Sequence, residues 1–347
     1  MFYKYFKSPA IIKSGNGTLP MLDPLLLSAH LSFPTKILIT QEELWRIYGQ
    51  ELGKNNFSER IFVKGGCIEE SDALVAQIKE KDALLVAFGG GSVLDLVKYC
   101  ASRCDKPYIT VPSALSNDAV YSCVSRLSVE GKKKSFGVQP PIGIVVDFEV
   151  IRNSPRELLL AGVADIVSNL SALEDWRLSH KIMGEPIDEL AYMLSKESVM
   201  PLLRYDREKC LESNAFLYDL TNAIVTSGLS MIVAGSTRCT SGAEHLISHA
   251  IDEYYPERST IHGLQVGWAH MIIEKHYRGE NSIYEKLHDF YRRIGLLGAI
   301  EEYVKWDEDE FCTLIAPART MRDRFTVFNI IDKRNQYSTC QYGDKNA

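Results

Sequence analysis

The sequence predicts an α/β protein in which a Rossmann-like, doubly wound N-terminal domain over residues 1–153 precedes an all-helical domain over residues 154–347. Three observations predict it. An apolar run from Ala83 ends in Gly89-Gly90-Gly91, and Ser92 then opens a stretch with apolar residues at helical spacing, Val93, Leu94 and Val97. Short apolar runs alternate with helical patterns as far as Asp147, the signature of a mostly parallel sheet. After Ser154-Pro155-Arg156-Glu157, which reads as a capping box with proline at the first helical position, only helical patterns follow.

Taken in order, Ala10–Lys13 suggests a short strand before a Gly15-Asn16-Gly17 turn. Lys36–Thr40 reads as a buried strand followed by a helix through Trp45 and Leu52. Ile61–Lys64 is a second strand, and Ser71–Lys81 carries helical spacing through Leu74, Val75 and Ile78. Beyond the glycines, Tyr108–Pro112 is a strand that runs into a polar loop, Ser113 to Asp118. A hairpin turns at Glu130-Gly131, and Ile142–Asp147 is the last strand. Helices are expected over residues 157–179, 188–209, 215–233, 242–255, 262–276, 283–294 and 308–322, with a polar tail after Asn329.

A chain of 347 residues can bury two cores. With a formal net charge of −6 and no basic block beyond Lys132-Lys133-Lys134, composition argues against nucleic-acid or membrane-surface partners and for a small-molecule one. No stretch shows the uninterrupted apolar length of a membrane span, and the first residues lack the order of a signal peptide, so a cytoplasmic location is expected. The eight cysteines are scattered without a Cys-x-x-Cys. Cys100 and Cys104, one helical turn apart, read as packing residues, and all eight read as reduced thiols.

Two groups of residues carry chemistry. At the strand-to-helix turn, Gly89, Gly90, Gly91 and Ser92 let backbone approach a ligand closely while the helix start presents unpaired N–H groups, a fit for a diphosphate. Such turns also arise for steric reasons alone. In the helical half, Asp165, His245, His249 and His262 are metal-type ligands, and spacing alone favours His245 with His249, four apart on one helix face. A single histidine is more often a satisfied core residue. Three within 18 positions beside an acid in an apolar helix point to an ion.

Five motifs, in order, resemble the metal-dependent (iron-type) alcohol dehydrogenase superfamily, which includes glycerol dehydrogenase, glycerol-1-phosphate dehydrogenase and 3-dehydroquinate synthase. They are Gly-Gly-Gly-Ser-x-x-Asp-x-x-Lys, Val-Pro-Ser-x-x-Ser-x-Asp, Ala-Gly-x-x-Asp-Ile-x-Ser-Asn, Gly-Ala-Glu-His-x-x-x-His and His-Gly. The Gly-Val-Ala-Asp-Ile-Val-Ser-Asn helix and the Arg322-Asp323-Arg324-Phe325-Thr326 ending look most like the sn-glycerol-1-phosphate dehydrogenase branch. The resemblance implies a dehydroquinate synthase-like fold and hydride transfer between NAD or NADP and a small ketone or polyol, with dihydroxyacetone phosphate the leading substrate.

It also implies Asp165, His245 and His262 as ligands of one divalent ion, zinc ahead of ferrous iron, with His249 facing the substrate. Asp118, His249 and Lys98 become the expected catalytic residues. Gly89, Gly90, Gly91, Ser92, Asp95, Ser113, Ser116 and Ser122 lie along the dinucleotide, and a homo-oligomer is the implied assembly. Gln41 stands where the family commonly has an aspartate that binds the adenosine ribose, so NADPH is expected to be tolerated or preferred. For a substrate phosphate, Lys133, Lys134, Arg319 and Arg322 are candidates, each with an alternative as a solvated surface charge. Competing readings are another polyol dehydrogenase, a dehydroquinate synthase-like lyase, disfavoured because Asn117-Asp118-Ala119 replaces its glycine-rich segment, and a non-catalytic binder, disfavoured by intact ligands.

Overall fold

The computed structural model describes residues 8–331. Eight strands are seen: β1 (Ile11–Gly15), β2 (Lys36–Thr40), β3 (Glu59–Phe62), β4 (Leu84–Gly89), β5 (Tyr108–Pro112), β6 (Val124–Val129), β7 (Lys132–Gly137) and β8 (Gly143–Asp147). Six of them form one parallel sheet in the order β1-β8-β5-β4-β2-β3. Between them run α1 (Leu22–Ser28), α2 (Glu42–Leu52), α3 (Ile68–Ile78) and α4 (Gly91–Arg103). The chain leaves β2 toward β3 and then crosses to β4 on the other side of β2. The direction of winding thus reverses between β2 and β4, where a parallel sheet opens a crevice beyond its carboxyl ends.

The sequence of β4 explains its central place. Leu84, Val86 and Phe88 point into an apolar cluster with α1 and α2, while Leu85 and Ala87 point into the opposite one with α3 and α4, so both faces are covered. That second cluster continues without interruption into the helical half, through Leu160, Val163, Val167 and Leu264. Strands β6 and β7 form a separate antiparallel hairpin whose two-residue turn has Glu130 at φ 52° and Gly131 at φ 80°, the twist that suits a tight hairpin.

From residue 148 the chain is helical: α5 (Phe148–Arg152), α6 (Arg156–Val167), α7 (Asn169–Met183), α8 (Glu189–Leu203), α9 (Asn214–Ala234), α10 (Ala243–Tyr254), α11 (His262–His276), α12 (Tyr284–Ile294), α13 (Leu296–Tyr303) and α14 (Phe311–Ala318). The two-layer fold class read from the sequence holds, and several details differ. The capping box is not formed, because Ser154 Oγ donates back to Ile151 O at 2.6 Å and Pro155 occupies the cap position. The single helix expected from 157 to 179 breaks at Ser168, whose hydroxyl donates to Asp165 O at 2.7 Å, a back-bond that bends helices. Short α1, α5 and α13 were not legible.

Helix α9 is long and apolar enough to cross a membrane, contrary to the sequence reading. Yet 67% of that window is buried within the protein, as in a core helix. Six cysteines are free thiols, whereas Cys312 stands in a disulfide, which corrects the expectation that all are reduced. The N-terminal residues read for a signal and most of the polar tail lie outside the described residues.

Candidate functional site

Two close approaches to α6 set the geometry. Gly162 on α6 lies so near the loop after β5 that a Cβ there would fall 1.9 Å from Leu115 O. Gly263, the second residue of α11, lies so near α6 that a Cβ would fall 2.1 Å from Ala161 O. Side-chain-free contact at these two points brings the loop carrying Asp118 and the helix start carrying His262 against the helix that carries Asp165. The glycine after His262 therefore has a structural reason.

Asp165, His245 and His262 each offer one ligand atom, and the three atoms lie within 4.8 Å of one another. His245 Nε2 stands 3.3 Å and His262 Nε2 3.9 Å from Asp165 Oδ1, a buried oxygen with no hydrogen-bond partner among the described residues. Its other oxygen accepts the Asp118 backbone N–H at 3.1 Å. Both imidazoles are held from behind. His245 Nδ1 meets Glu244 Oε1 at 2.9 Å and His262 Nδ1 meets Ser248 Oγ at 2.8 Å, which turns both Nε2 atoms toward the orphaned carboxylate oxygen.

The electrostatics of this cluster call for positive charge. Burial works against a charged His245, but the Asp165 and Glu244 carboxylates outweigh it and raise its pKa to about 9. Burial opposes ionisation of Glu244 as well, and the bond to His245 wins, holding it down to about 2. Asp118 is pushed up to about 6, by burial first and then by the Asp165 charge. His249 and His262 are held well below the ordinary imidazole value, chiefly by burial and further by neighbouring cations, so both are neutral. A buried acceptor without a donor, faced by two nitrogens of fixed orientation, suits a divalent ion, and the residues fit one.

His245 and His262 line a cleft of about 400 Å³ that the start of α4 also lines, and Asp165 stands behind them, in contact with both imidazoles and with the Asp118 N–H. Gly91, Ser92, Asp95, Ser116, Asp118 and His249 line it. Gly89 and Gly90 lie at the turn itself, Gly89 pressed against Val93, and Ser113 donates its N–H to Gly89 O at 2.9 Å. His249 stacks on His262 with ring centres 6.0 Å apart, so the helix-face pair favoured by spacing is not the pair that converges on Asp165.

Three expectations shift with the geometry. Lys98 does not reach the cleft. Its fully buried ammonium pairs with Asp95 Oδ1 at 3.0 Å and donates to Ser122 Oγ at 2.8 Å and Ala119 O at 3.1 Å, so it positions the loop of Asp118 rather than meeting a substrate. Ser122, buried with it, likewise stands behind the wall. Gln41 caps α2 at the end of β2 and donates to Lys64 O at 3.1 Å, apart from the lining of this cleft. Of the four phosphate candidates, Lys133 and Arg322 line the cleft and Lys134 and Arg319 do not; Arg319 is turned to Phe328 O.

Several lining or supporting residues escaped the sequence reading. Glu244 could have been flagged as an acid beside a candidate ligand. Gly65 and Gly66, at φ 89° and 88°, were legible as a glycine pair that brings the end of β3 against Ser92. Ser248, Arg126 and Thr237 gave no signal.

Comparison with known proteins agrees with this picture. A family model described as iron-containing alcohol dehydrogenase matches residues 13–155. A glycerol-1-phosphate dehydrogenase [NAD(P)+] of Natronomonas pharaonis is 35% identical over 251 residues, 72% of this chain and 70% of that one. Its counterpart in Pyrococcus furiosus is 30% identical over 308 residues, 87% and 88% of the two chains. Among solved structures, a probable glycerol dehydrogenase from Sinorhizobium meliloti superposes with a TM-score of 0.75 at 20% identity, over 98% of both chains, which speaks to fold. The protein is thus a metal-dependent oxidoreductase that uses NAD(P). The chain belongs to the iron-containing alcohol dehydrogenase family, as its motifs suggested.

Proposed function

We propose that this protein reduces dihydroxyacetone phosphate to sn-glycerol 1-phosphate with NADPH or NADH. The observation that carries the reading is the convergence of His245 and His262, which line the same cleft as the start of α4, on Asp165 Oδ1, a buried oxygen with no partner among the described residues. The names borne by relatives at 30–35% identity supply the substrate.

In this reading Gly89, Gly90, Gly91 and Ser92 receive the pyrophosphate at the start of α4, where N–H groups are free and the helix dipole is positive. Asp95, Ser113 and Ser116 border its path, Lys98 and Ser122 hold the loop that forms the far wall, and Gln41 stands nearest the adenosine ribose. Asp165, His245 and His262 hold the ion; hydride transfer asks no redox change of it, so zinc or ferrous iron would serve, and the ligand set favours zinc. When bound, it supplies Lewis acidity toward a carbonyl oxygen. Neutral His249 hydrogen-bonds a substrate hydroxyl, and Asp118, its carboxyl raised to about 6, is the acid whose affinity for a proton lies nearest neutrality and so serves to exchange one.

The same reading makes the protein a cytoplasmic enzyme of small-molecule metabolism and a homo-oligomer, acting on neither nucleic acid nor membrane. The test is NAD(P)H oxidation by the metal-loaded protein with dihydroxyacetone phosphate, dihydroxyacetone and glyceraldehyde in parallel. Preference for the phosphorylated ketone supports it, and indifference to that ketone refutes it.

A further inference from the structure

The cleft carries more positive charge than its own acids neutralise. Arg126 projects from β6, and in the ladder it stands opposite Ser135 of β7. Its guanidinium pairs with Asp252 Oδ2 at 3.0 Å, so its charge is answered from α10. Arg322 enters from the segment after α14. It donates to Thr237 Oγ1 at 3.0 Å and to Ser135 Oγ at 3.3 Å, both neutral acceptors. No carboxylate lies within ion-pair distance of Arg322 among the described residues. Lys133 lines the rim of the same cleft without an ion-pair partner there. Of the two acids on the lining, Asp95 is paired with Lys98, and Asp118, whose backbone N–H is given to Asp165, is the one carboxylate whose charge reaches Arg322, from beyond ion-pair distance.

A half-buried guanidinium drawn into a cleft next to another, with only hydroxyls to hold it, has lost part of its water and lacks an ion-pair partner. Its planar fork matches phosphate oxygens two at a time, and a hydroxyl already in contact with it adds a further donor. We propose that Arg322, seated by Ser135 and Thr237 and flanked by Arg126 and Lys133, binds the phosphate of a phosphorylated three-carbon substrate. The inference rests on the reading of the protein as a reductase of a phosphorylated ketone. The site selects for the phosphate: a substrate without it leaves the guanidinium unanswered. A dinucleotide pyrophosphate is the other source of the same chemistry, and the experiment separates the two.

Metal-loaded wild type, Arg322→Met and Arg322→Lys are compared for kcat/KM with dihydroxyacetone phosphate and with dihydroxyacetone. The ratio of the two is expected to fall about 100-fold in Arg322→Met and to recover in part in Arg322→Lys, which keeps the charge and loses the fork. In calorimetric titration, inorganic phosphate is expected to bind wild type and not Arg322→Met. An unchanged ratio together with weakened NADPH or NADH binding would assign Arg322 to the dinucleotide and overturn the proposal. Should wild type ignore dihydroxyacetone phosphate altogether, the substrate reading fails, and the phosphate titration still decides whether Arg322 is an anion site. If Arg322→Met does not fold, Ser135→Ala, which removes only a hydroxyl that seats the guanidinium, is read by the same ratio, and an unchanged value counts against the site.

Discussion

Gly263→Ala is the most informative single change, because its effect on the metal cluster follows from distances. A Cβ at residue 263 would lie 2.1 Å from Ala161 O. A carbon–oxygen contact needs roughly 3.3 Å, so α11 must retreat from α6 by about 1.2 Å at its first turn. His262 precedes this residue, and its Nε2 already stands 3.9 Å from Asp165 Oδ1. Metal bonds of about 2.0–2.2 Å to nitrogen and oxygen let two ligand atoms stand at most about 4.3 Å apart, and nearer 3.4 Å in a tetrahedron. Even half of the retreat puts His262 out of range, because Ser248 pins its other nitrogen and limits how far the ring can follow. Overpacking costs about 1–3 kcal/mol, which lowers Tm by several degrees in a protein of this size and leaves it folded. We expect Gly263→Ala to purify with less than about a tenth of the wild-type metal and to lose turnover in proportion, while NAD(P)H fluorescence titration still reports binding. A variant that keeps wild-type metal content, measured by plasma emission spectrometry, would refute the argument that this crossing sets the ligand geometry.

Four further outcomes are expected. Ser248→Ala removes the acceptor behind His262 and Glu244→Gln the charge behind His245, and each should weaken metal affinity about 10–100-fold in a chelator-buffered titration, with turnover restored by excess metal. Gln41→Asp should shift catalytic efficiency from NADPH toward NADH, and an unmoved ratio would remove Gln41 from the ribose. Lys98→Met strips the half-buried Asp95 of its partner and frees the Ala119–Ser122 loop, so a loss of about 1.5–3 kcal/mol in urea unfolding is expected, where a surface pair would give under 1. Burial opposes ionisation of Glu274, yet His270 and Arg278 hold its pKa below the ordinary 4.5, so its folded-state pKa is depressed. The stability it contributes is present above that pH and fades as pH falls through the folded value, and Glu274→Gln should flatten the fall of Tm below about pH 4.5.

What could be read in the sequence follows from what periodicity encodes. Tyr108–Pro112, Lys36–Thr40 and His262–His276 were legible to the residue because each is bounded by chemistry that acts locally: a proline, a polar cap, or an apolar pattern that stops. The break at Ser168 was not, since Val167 and Leu170 continue the helical spacing across it and the hydroxyl that bends the chain leaves no mark on the pattern. The same limit applies to the cluster. Spacing can find His245 and His249 because both belong to one helix, but His262 reaches Asp165 through a helix crossing set by Gly263, and such tertiary geometry has no period. The family resemblance supplied it instead. Lys98 misled for the opposite reason: its place in the motif is that of a functional residue, while its ammonium is turned inward to hold the loop.

The two halves are not independent at the site. Asp165 presents Oδ1 to the histidines because Oδ2 is occupied by the N–H of Asp118, and Asp118 belongs to the loop that Lys98 anchors from the glycine-bearing helix. Across the cleft, Arg126 and Lys132 of the hairpin pair with Asp252 and Glu253 at the end of α10, the helix that begins with Glu244 and His245. A dinucleotide that orders the loop therefore orders the carboxylate, and an ion that fixes the carboxylate stiffens the loop. Thermodynamic linkage makes the effect reciprocal: whatever factor the cofactor adds to metal affinity, the metal must add to cofactor affinity. Loss of the metal should then weaken NAD(P)H binding by the same factor as loss of NAD(P)H weakens the metal. Equal NAD(P)H affinity in the metal-free and metal-loaded protein would show that the Asp118–Asp165 hydrogen bond carries no coupling between the two sites.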